Sequence, residues 1–226
     1  MKECPAIIAA LPREVKHLVR GWQEHRLPGK IVAYTNDFAV VVCAGMGAER
    51  AALAVQAALS LKPVTALLSV GLAGACDPSL RVGDIVRAGV VVDAQTGERF
   101  TNELFTQALV STSAIATVKE KQRLYASYQA SAVDMEAATV ARLAQAHDLS
   151  FSAIKVISDE ATFEMQELGR FATPDGQFRE AAFAAYTAIR PQRWPKLFAL
   201  ASNSRRAVQS LTRELESQLT WYRQKA

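Results

Sequence analysis

Short apolar runs separated by helix-like segments occupy the chain up to about residue 160 and limit the folds open to it. Buried strands are predicted where these runs occur, over 5–11, 31–34, 38–44, 65–70, 84–92 and 151–157. Helices are predicted between them, over 12–22, 48–61, 117–127 and 137–147. Apolar strands that alternate with helices indicate an α/β fold, here a single domain with a central mixed β-sheet flanked by helices.

The residues that follow each predicted strand are the first place to look for a binding site. In open α/β sheets, ligands bind beyond the carboxyl ends of the strands. The segments that follow strands here are 12–14, 45–47, 71–74 and 158–159. The glycines of 71–74 predict a tight turn after the strand 65–70.

Composition and cysteine spacing favour a protein of the cytoplasm. Half of the 226 residues are hydrophobic and 21% are charged, which is typical of globular domains. No apolar run has the length of a membrane-spanning helix, and no signal-peptide pattern precedes the first strand. The three cysteines lie far apart and match no metal or disulfide spacing.

Charge divides the chain into a nearly neutral body, 1–190, and a basic tail, 191–226. The segment from Arg190 onward contains eight basic and two acidic residues and has a net charge of +6. The other residues therefore have a net charge of −2. The nearly neutral charge of the body argues against a general surface for nucleic acid there.

The tail is predicted to be an amphipathic helix. Its apolar positions recur at spacings of three and four residues: Leu197, Ala201, Ser204, Val208, Leu211, Leu215, Leu219 and Tyr222. Such a helix packs on its own core or on a partner subunit. Because arginines and tryptophans flank the stripe, contact with an anionic membrane surface, and thus a location at the membrane periphery, is the second interpretation.

Four segments together resemble the superfamily of purine nucleoside phosphorylases and methylthioadenosine/S-adenosylhomocysteine nucleosidases. They are IIAALPREV (7–15), SVGLAG (69–74) with VGDIV (82–86), AVDMEAA (132–138) and IKVISDEA (154–161). The resemblance covers residues 5–93 and 108–190. It implies a homo-oligomeric enzyme that cleaves the N-glycosidic bond of a purine nucleoside, with adenine as the expected base, and that needs no metal or organic cofactor.

The resemblance also assigns roles to acidic residues. Asp159 matches the acid that protonates the departing base, and it follows an apolar strand, so a dry environment would favour its protonated form. Glu136 matches the residue that binds the sugar hydroxyls, with Met135 packed on the sugar. Glu14 matches the glutamate that activates the attacking water. The remaining predicted substrate-binding residues are Met46, Gly71, Leu72, Ala73, Ile115, Asp134 and Ser158.

Each acidic residue also has a structural interpretation. Glu14 is placed where a solvated first-turn acid interacts with the helix dipole. Asp134 and Glu136 precede an alanine-rich helix, where they would serve as capping acids, and Asp159 would likewise cap a helix or close a turn.

The nucleophile is water or phosphate. Where bacterial hexameric phosphorylases carry an arginine and a serine, this chain has Ser69 and Leu72, and the leucine side chain offers phosphate no donor. Glu14 and these missing residues favour water. Phosphate remains an alternative as a co-substrate, because Arg13, Arg20 or an arginine of another subunit would bind it.

Two features of the chain depart from the usual pattern of the superfamily and resemble one of its branches. The stretch between Val92 and Asp134 is short, and 109–116, which corresponds to the base pocket, lacks the aromatic residue that stacks on purine. With the basic tail, these features resemble the hopanoid-associated branch, whose members are thought to remove adenine from a lipid-linked nucleoside. The alternatives are a phosphorylase of soluble nucleosides, a non-catalytic nucleoside-binding module and a membrane-surface module.

Overall fold

The computed structural model describes residues 4–164 and 194–225, although the side chains of 194–200 and 225 are outside that description. Its strands are β1 (Pro5–Ala9), β2 (Gln23–Leu27), β3 (Ile31–Thr35), β4 (Val40–Cys43), β5 (Ala66–Ala75), β6 (Ile85–Asp93), β7 (Arg99–Thr101), β8 (Gln107–Ser111), β9 (Ala130–Asp134) and β10 (Ser150–Asp159). Its α-helices are α1 (Pro12–Val15), α2 (Ala48–Leu61), α3 (Val118–Tyr128), α4 (Ala137–Ala146) and α5 (Trp194–Lys225), and Pro28–Lys30 forms a 3₁₀ turn.

The described strands form one mixed sheet, which confirms the predicted α/β class. From the edge strand β2 inward, the order is β2-β3-β4-β1-β5, and β1 is parallel to both β4 and β5. Beyond β5, the strands β10, β6, β8 and β9 close a ring, because β9 pairs back with the end of β5. All residues of β1 and β4 are buried, as the continuous apolar runs of parallel strands require.

Strand β5 is longer than predicted, and the expected tight turn at 71–74 is wrong. The segment continues as strand through Ala75 and pairs in parallel with β10 from Ala66 to Gly74. The extension follows from this partner, because β10 is also ten residues long and satisfies the backbone groups of 70–74.

Two further predictions differ from the structure. The helix expected over 12–22 ends at Val15, and residues 16–22 form turns before β2. Leu18 and Val19 are buried in a cluster that also includes Leu211 and Leu215 of α5, so tertiary packing determines the path of this segment. Strands β7 and β9 carry no clear apolar run and were not predicted.

Helices cover both faces of the sheet, so the hydrophobic core has one layer on each face. Ala6 and Ile8 of β1 face the cluster that includes α2 and α4. Ile7 and Ala9 alternate to the other face, where the cluster includes the apolar stripe of α5.

The C-terminal helix packs on the chain's own core. Its predicted stripe is buried at Leu211, Leu215 and Leu219. Glu214 extends the contact, because its carboxylate accepts two hydrogen bonds from Arg87 of β6, at 2.9 and 2.6 Å. In the parts of the chain that the structure describes, no helix is long and apolar enough to cross a membrane. The predicted boundary at 190 and the Leu197 side chain lie outside the described residues.

Replacing Leu211 tests this packing. We expect Leu211→Ala to lower the free energy of unfolding by about 2–5 kcal/mol, because it leaves a cavity in a fully buried cluster. Gln209→Ala, on the exposed face of the same helix, is the matched control and should change stability by less than about 0.5 kcal/mol. Urea denaturation measures both; equal stabilities would contradict burial of the stripe.

Candidate active site

A cavity of about 550 Å³ lies at the carboxyl ends of β1, β5, β9 and β10. Every predicted site residue lines it: Glu14, Met46, Gly71, Leu72, Ala73, Ile115, Asp134, Met135, Glu136, Ser158 and Asp159. Residues from distant parts of the chain meet there because β1, β5 and β10 are parallel neighbours and β9 pairs with the end of β5. The cavity also contains residues that were not predicted for it, above all Lys121 from α3 and Ala201 and Ser204 from α5.

Glu136 is held at the start of α4 with its carboxylate toward the cavity. One oxygen, Oε1, accepts a 2.8 Å hydrogen bond from the backbone N–H of Gly47. Gly47 has φ +94°, a conformation that favours glycine, so the turn 45–47 is shaped to present this N–H. Burial raises the pKa of Glu136 to about 7, although the nearby Lys155 ammonium opposes the shift. The carboxyl group therefore changes its charge near neutral pH.

Asp134 connects β9 to the start of α4 through hydrogen bonds at the wall of the cavity. Its Oδ1 accepts a 2.6 Å hydrogen bond from the Ser111 hydroxyl, and its Oδ2 accepts one of 2.9 Å from the N–H of Ala137. The interpretation of Asp134 as a capping acid is thus correct. Since both oxygens have protein donors, the residue lines the cavity while holding α4 in place.

Lys155 is the cation on which these carboxylates converge. Its Nζ lies 2.9 Å from Oδ2 of Asp134 and 4.0 Å from Oε2 of Glu136, and it donates a 3.3 Å hydrogen bond to the Val70 carbonyl. Burial lowers the pKa of Lys155, but Asp134 and Glu136 outweigh that effect, and the net shift is upward. The sequence did contain a signal for Lys155. A lysine within a predicted apolar strand is expected to be buried, and a buried charge requires partners.

Glu14 is buried rather than solvated, so its interpretation as an exposed first-turn acid is wrong. Its carboxylate accepts a 3.0 Å hydrogen bond from the N–H of Leu11 and another from the N–H of Leu72. A Cβ on Gly71 would lie 3.3 Å from Oε2 of Glu14, so the glycine gives the carboxylate its space. Burial raises the pKa of Glu14 above its usual range.

Asp159 is only 3% exposed, but its surroundings are not simply dry. Its Oδ1 accepts a 2.7 Å hydrogen bond from the Ser158 hydroxyl, and its Oδ2 forms an ion pair with the buried ammonium of Lys121. The burial agrees with the expected dry environment, but the sequence did not predict a cation in direct contact with this carboxylate. No sequence signal identified Lys121, which lies on an otherwise polar helix.

The rest of the lining is mainly apolar. Met46, Leu72, Ile115 and Met135 contribute large side chains, and no aromatic residue occurs among the described lining residues. Within residues 4–164 and 194–225, no group of three or more histidines, cysteines or acids is arranged to hold a metal ion.

Comparisons with known proteins place the chain in a family. The phosphorylase superfamily matches residues 6–115 and 96–189. No curated protein sequence matches the chain. The structure is similar to that of the Helicobacter pylori 5′-methylthioadenosine/S-adenosylhomocysteine nucleosidase, with a TM-score of 0.71 and 15% identity over 96% of this chain and 98% of the other.

Two other solved structures show the same fold. The futalosine hydrolase of Helicobacter pylori has a TM-score of 0.71 and 16% identity, covering 96% of this chain and 97% of its own. The Neisseria meningitidis 5′-methylthioadenosine/S-adenosylhomocysteine nucleosidase has a TM-score of 0.69 and 17% identity, covering 93% and 95%. The chain belongs to the phosphorylase superfamily. The predicted class, a nucleosidase or nucleoside phosphorylase, is thereby confirmed.

Removing the charge of Asp134 tests its anchoring role. We expect Asp134→Asn to lower the free energy of unfolding by about 3–5 kcal/mol, because the buried Lys155 ammonium loses its nearest carboxylate. Asp148→Asn, at an exposed position after α4, is the control and should have little effect. Urea denaturation at neutral pH compares the two. A loss as small as the control's would show that Lys155 does not depend on Asp134.

Proposed function

We propose that this enzyme releases adenine from a nucleoside by attack of water on C1′ of the sugar. The observation that carries the proposal is that Glu14, Glu136 and Asp159, from three distant segments, line one apolar cavity. The family match supports glycosidic bond cleavage, and solved structures of this fold include two 5′-methylthioadenosine/S-adenosylhomocysteine nucleosidases and a futalosine hydrolase.

The sugar lies at Glu136 in this proposal. An ionised carboxylate accepts hydrogen bonds from two ribose hydroxyls, and the N–H of Gly47 holds it in place for them. Met135, beside it in the cavity lining, packs on the sugar face. As the bond breaks, positive charge develops on the sugar, and the carboxylates of this poorly solvated cavity stabilise it.

The base lies toward Asp159, at the end of β10. A purine leaves more readily once the free nitrogen of its five-membered ring, N7, is protonated. Asp159 is the acidic side chain that reaches the cavity from this strand, and its position is set by Ser158 and Lys121. We therefore assign proton delivery to Asp159.

Glu14 favours water as the nucleophile. Its carboxylate is buried at the cavity wall, and burial raises its pKa, which makes it a stronger base. Among the described lining residues the basic side chains are Arg13 and Lys121, and Lys121 is engaged by Asp159. A phosphate dianion would therefore contact Arg13 but no hydroxyl at position 72, so the lining favours water.

A purine-release assay, run with and without phosphate, tests the function. We expect release of adenine from adenosine-type nucleosides at the same rate in both conditions. Asp159→Asn and Glu136→Gln should each lower kcat/KM by about 100-fold or more, because each removes a group that acts in the transition state. Asp148→Asn is the surface control.

Three outcomes would contradict this assignment. Strict dependence on phosphate would make the enzyme a phosphorylase. Binding of nucleosides without release would make it a non-catalytic module. Unchanged release by both variants would refute the roles of Asp159 and Glu136.

We further propose that the natural nucleoside is linked at its 5′ end to a lipid, of which adenosylhopane is the candidate, and is taken from a membrane surface. Two features of α5 support this proposal. Ala201 and Ser204 of this helix line the cavity, while Arg205, Arg206 and Arg213 are exposed on it. Trp221, near the helix end, is 47% exposed. A basic helix with an exposed aromatic residue is typical of membrane-surface contact.

Binding to lipid vesicles tests the role of this helix. We expect the protein to sediment with phosphatidylserine vesicles at low salt and to detach at high salt. The triple change of Arg205, Arg206 and Arg213 to Gln should weaken binding by about 100-fold, at about 1 kcal/mol for each arginine. Turnover of soluble adenosine should stay unchanged, since these side chains are exposed.

The matched control replaces three exposed arginines elsewhere, Arg26, Arg99 and Arg123, by Gln. It removes the same charge, so equal loss of vesicle binding in both triple variants would show that net charge, not α5, attracts the protein. Faster release of adenine from soluble adenosine than from adenosylhopane in vesicles would refute the lipid-linked substrate.

A further inference from the structure

We propose that Lys121 supplies the proton that Asp159 passes to the departing base, so that the acid of the reaction is the ion pair and not Asp159 alone. This inference rests on the proposed function, because it presupposes that Asp159 faces the base. It assigns to Lys121 a role as a positioning residue that acts through another side chain.

The ammonium of Lys121 is built into the site. The side chain is 1% exposed and reaches from the first turn of α3 to the end of β10. Its Nζ forms the ion pair with Oδ2 of Asp159 and donates hydrogen bonds to the carbonyls of Glu160, at 3.0 Å, and Phe163, at 3.3 Å. Three acceptors match the three N–H bonds of an ammonium group, so each N–H of Lys121 has a partner.

Both oxygens of Asp159 are engaged by side chains that can donate: Oδ1 by the Ser158 hydroxyl and Oδ2 by Lys121. A general acid needs a proton, and the ammonium in direct contact with Asp159 is that of Lys121. In this proposal the pair as a whole holds the proton that reaches the base.

The backbone is adapted to the pair. A Cβ placed on Gly74 of β5 would lie 3.0 Å from Oδ2 of Asp159 and 3.0 Å from Cε of Lys121. Such distances are shorter than a relaxed contact, so any larger residue at position 74 would push the two groups apart. The glycine allows the pair to lie directly against the strand.

Few other titratable groups surround Lys121. Cys76, at the end of β5, and Glu120, its neighbour on α3, are close enough to interact electrostatically with it or with its surroundings. Glu120 is engaged by Arg123, at 2.6 Å. Glu164, in the segment that follows β10, accepts a hydrogen bond from the N–H of Val118. Asp159 is the carboxylate in direct contact.

The step balances in atoms and charge. As the bond from C1′ to the base breaks, its electron pair moves to the base. A proton passes from Nζ of Lys121 to Asp159, and a proton passes from Asp159 to N7 of the purine. The lysine is left neutral and the carboxylate ionised. Water adds to C1′, and the proton that it releases through Glu14 to solvent equals the one that Lys121 later regains.

A purely structural ion pair is the competing explanation, and arginine separates the two. Lys121→Arg keeps a buried cation opposite Asp159, but a guanidinium does not give up its proton in proteins. If the pair only ties α3 to β10, arginine should replace lysine without a loss of catalysis. If Lys121 provides the proton, the Lys121→Arg variant should fold as the wild type does but catalyse the reaction more slowly.

The experiment compares wild type, Lys121→Arg and Lys121→Met on two substrates, adenosine and its N7-methylated derivative. The methylated base is already a cation and needs no proton to leave. We expect Lys121→Arg to lower kcat on adenosine by about 100-fold or more, with the rate on N7-methyladenosine unchanged. The second substrate also shows that each variant is folded.

The pH profile is the second readout. In wild type, the alkaline limb of the kcat/KM profile on adenosine should reflect loss of the proton that the Lys121–Asp159 pair holds. In Lys121→Met, Asp159 must carry its own proton, which a buried carboxyl group loses at lower pH, so the alkaline limb should move to lower pH. KM should change little in either variant.

The outcomes separate this inference from the proposed function. Equal adenosine turnover by wild type and Lys121→Arg, or an unmoved alkaline limb in Lys121→Met, would overturn the role of Lys121 and leave the enzyme a nucleosidase. An equal loss on both substrates would make the pair structural. A wild-type protein that releases no purine from either substrate would overturn the proposed function and this inference together.

Discussion

The parallel pairing of β5 with β10 determines most of what the active site contains. These strands run side by side over ten residues each, and the register sets Lys155 opposite Gly71 and Asp159 opposite Gly74. Lys155 is thereby buried under the cavity, and Asp159 reaches its rim. The two glycines leave space on β5 for carboxylates that larger side chains would displace. A shift of one residue would turn both charged side chains to the other face of the sheet.

Charge balance is the second constraint. Four carboxylates (Glu14, Asp134, Glu136 and Asp159) and two lysines (Lys121 and Lys155) share one poorly solvated region. Lys155 neutralises Asp134, and Lys121 neutralises Asp159, by direct contact. Glu136 is farther from Lys155, at 4.0 Å, and burial raises the pKa of both Glu136 and Glu14. A site of this kind attracts positive charge, such as that of a sugar losing its base.

Elements with a continuous apolar run could be predicted from the sequence, and those without one could not. Strands β1 and β4 and the last seven residues of β10 are buried on both faces, so their composition alone is informative. The short strands β7 and β9 exist because a neighbouring strand offers its backbone groups. The segment 71–74 has turn-forming glycines, yet it is strand because β10 extends beside it. Local composition does not contain that information.

By itself, the sequence determined the fold class, because burial demands apolar runs, and its resemblance to the superfamily picked out the acidic residues that line the cavity. The tertiary structure decided which cation lies beside which acid. Lys121 and Lys155 lie 38 and 21 residues from Asp159 and Asp134, and nothing in the intervening chain indicates which carboxylate each contacts. Pairing across a closed sheet brings them together, and a charge state depends on distance in space, not along the chain.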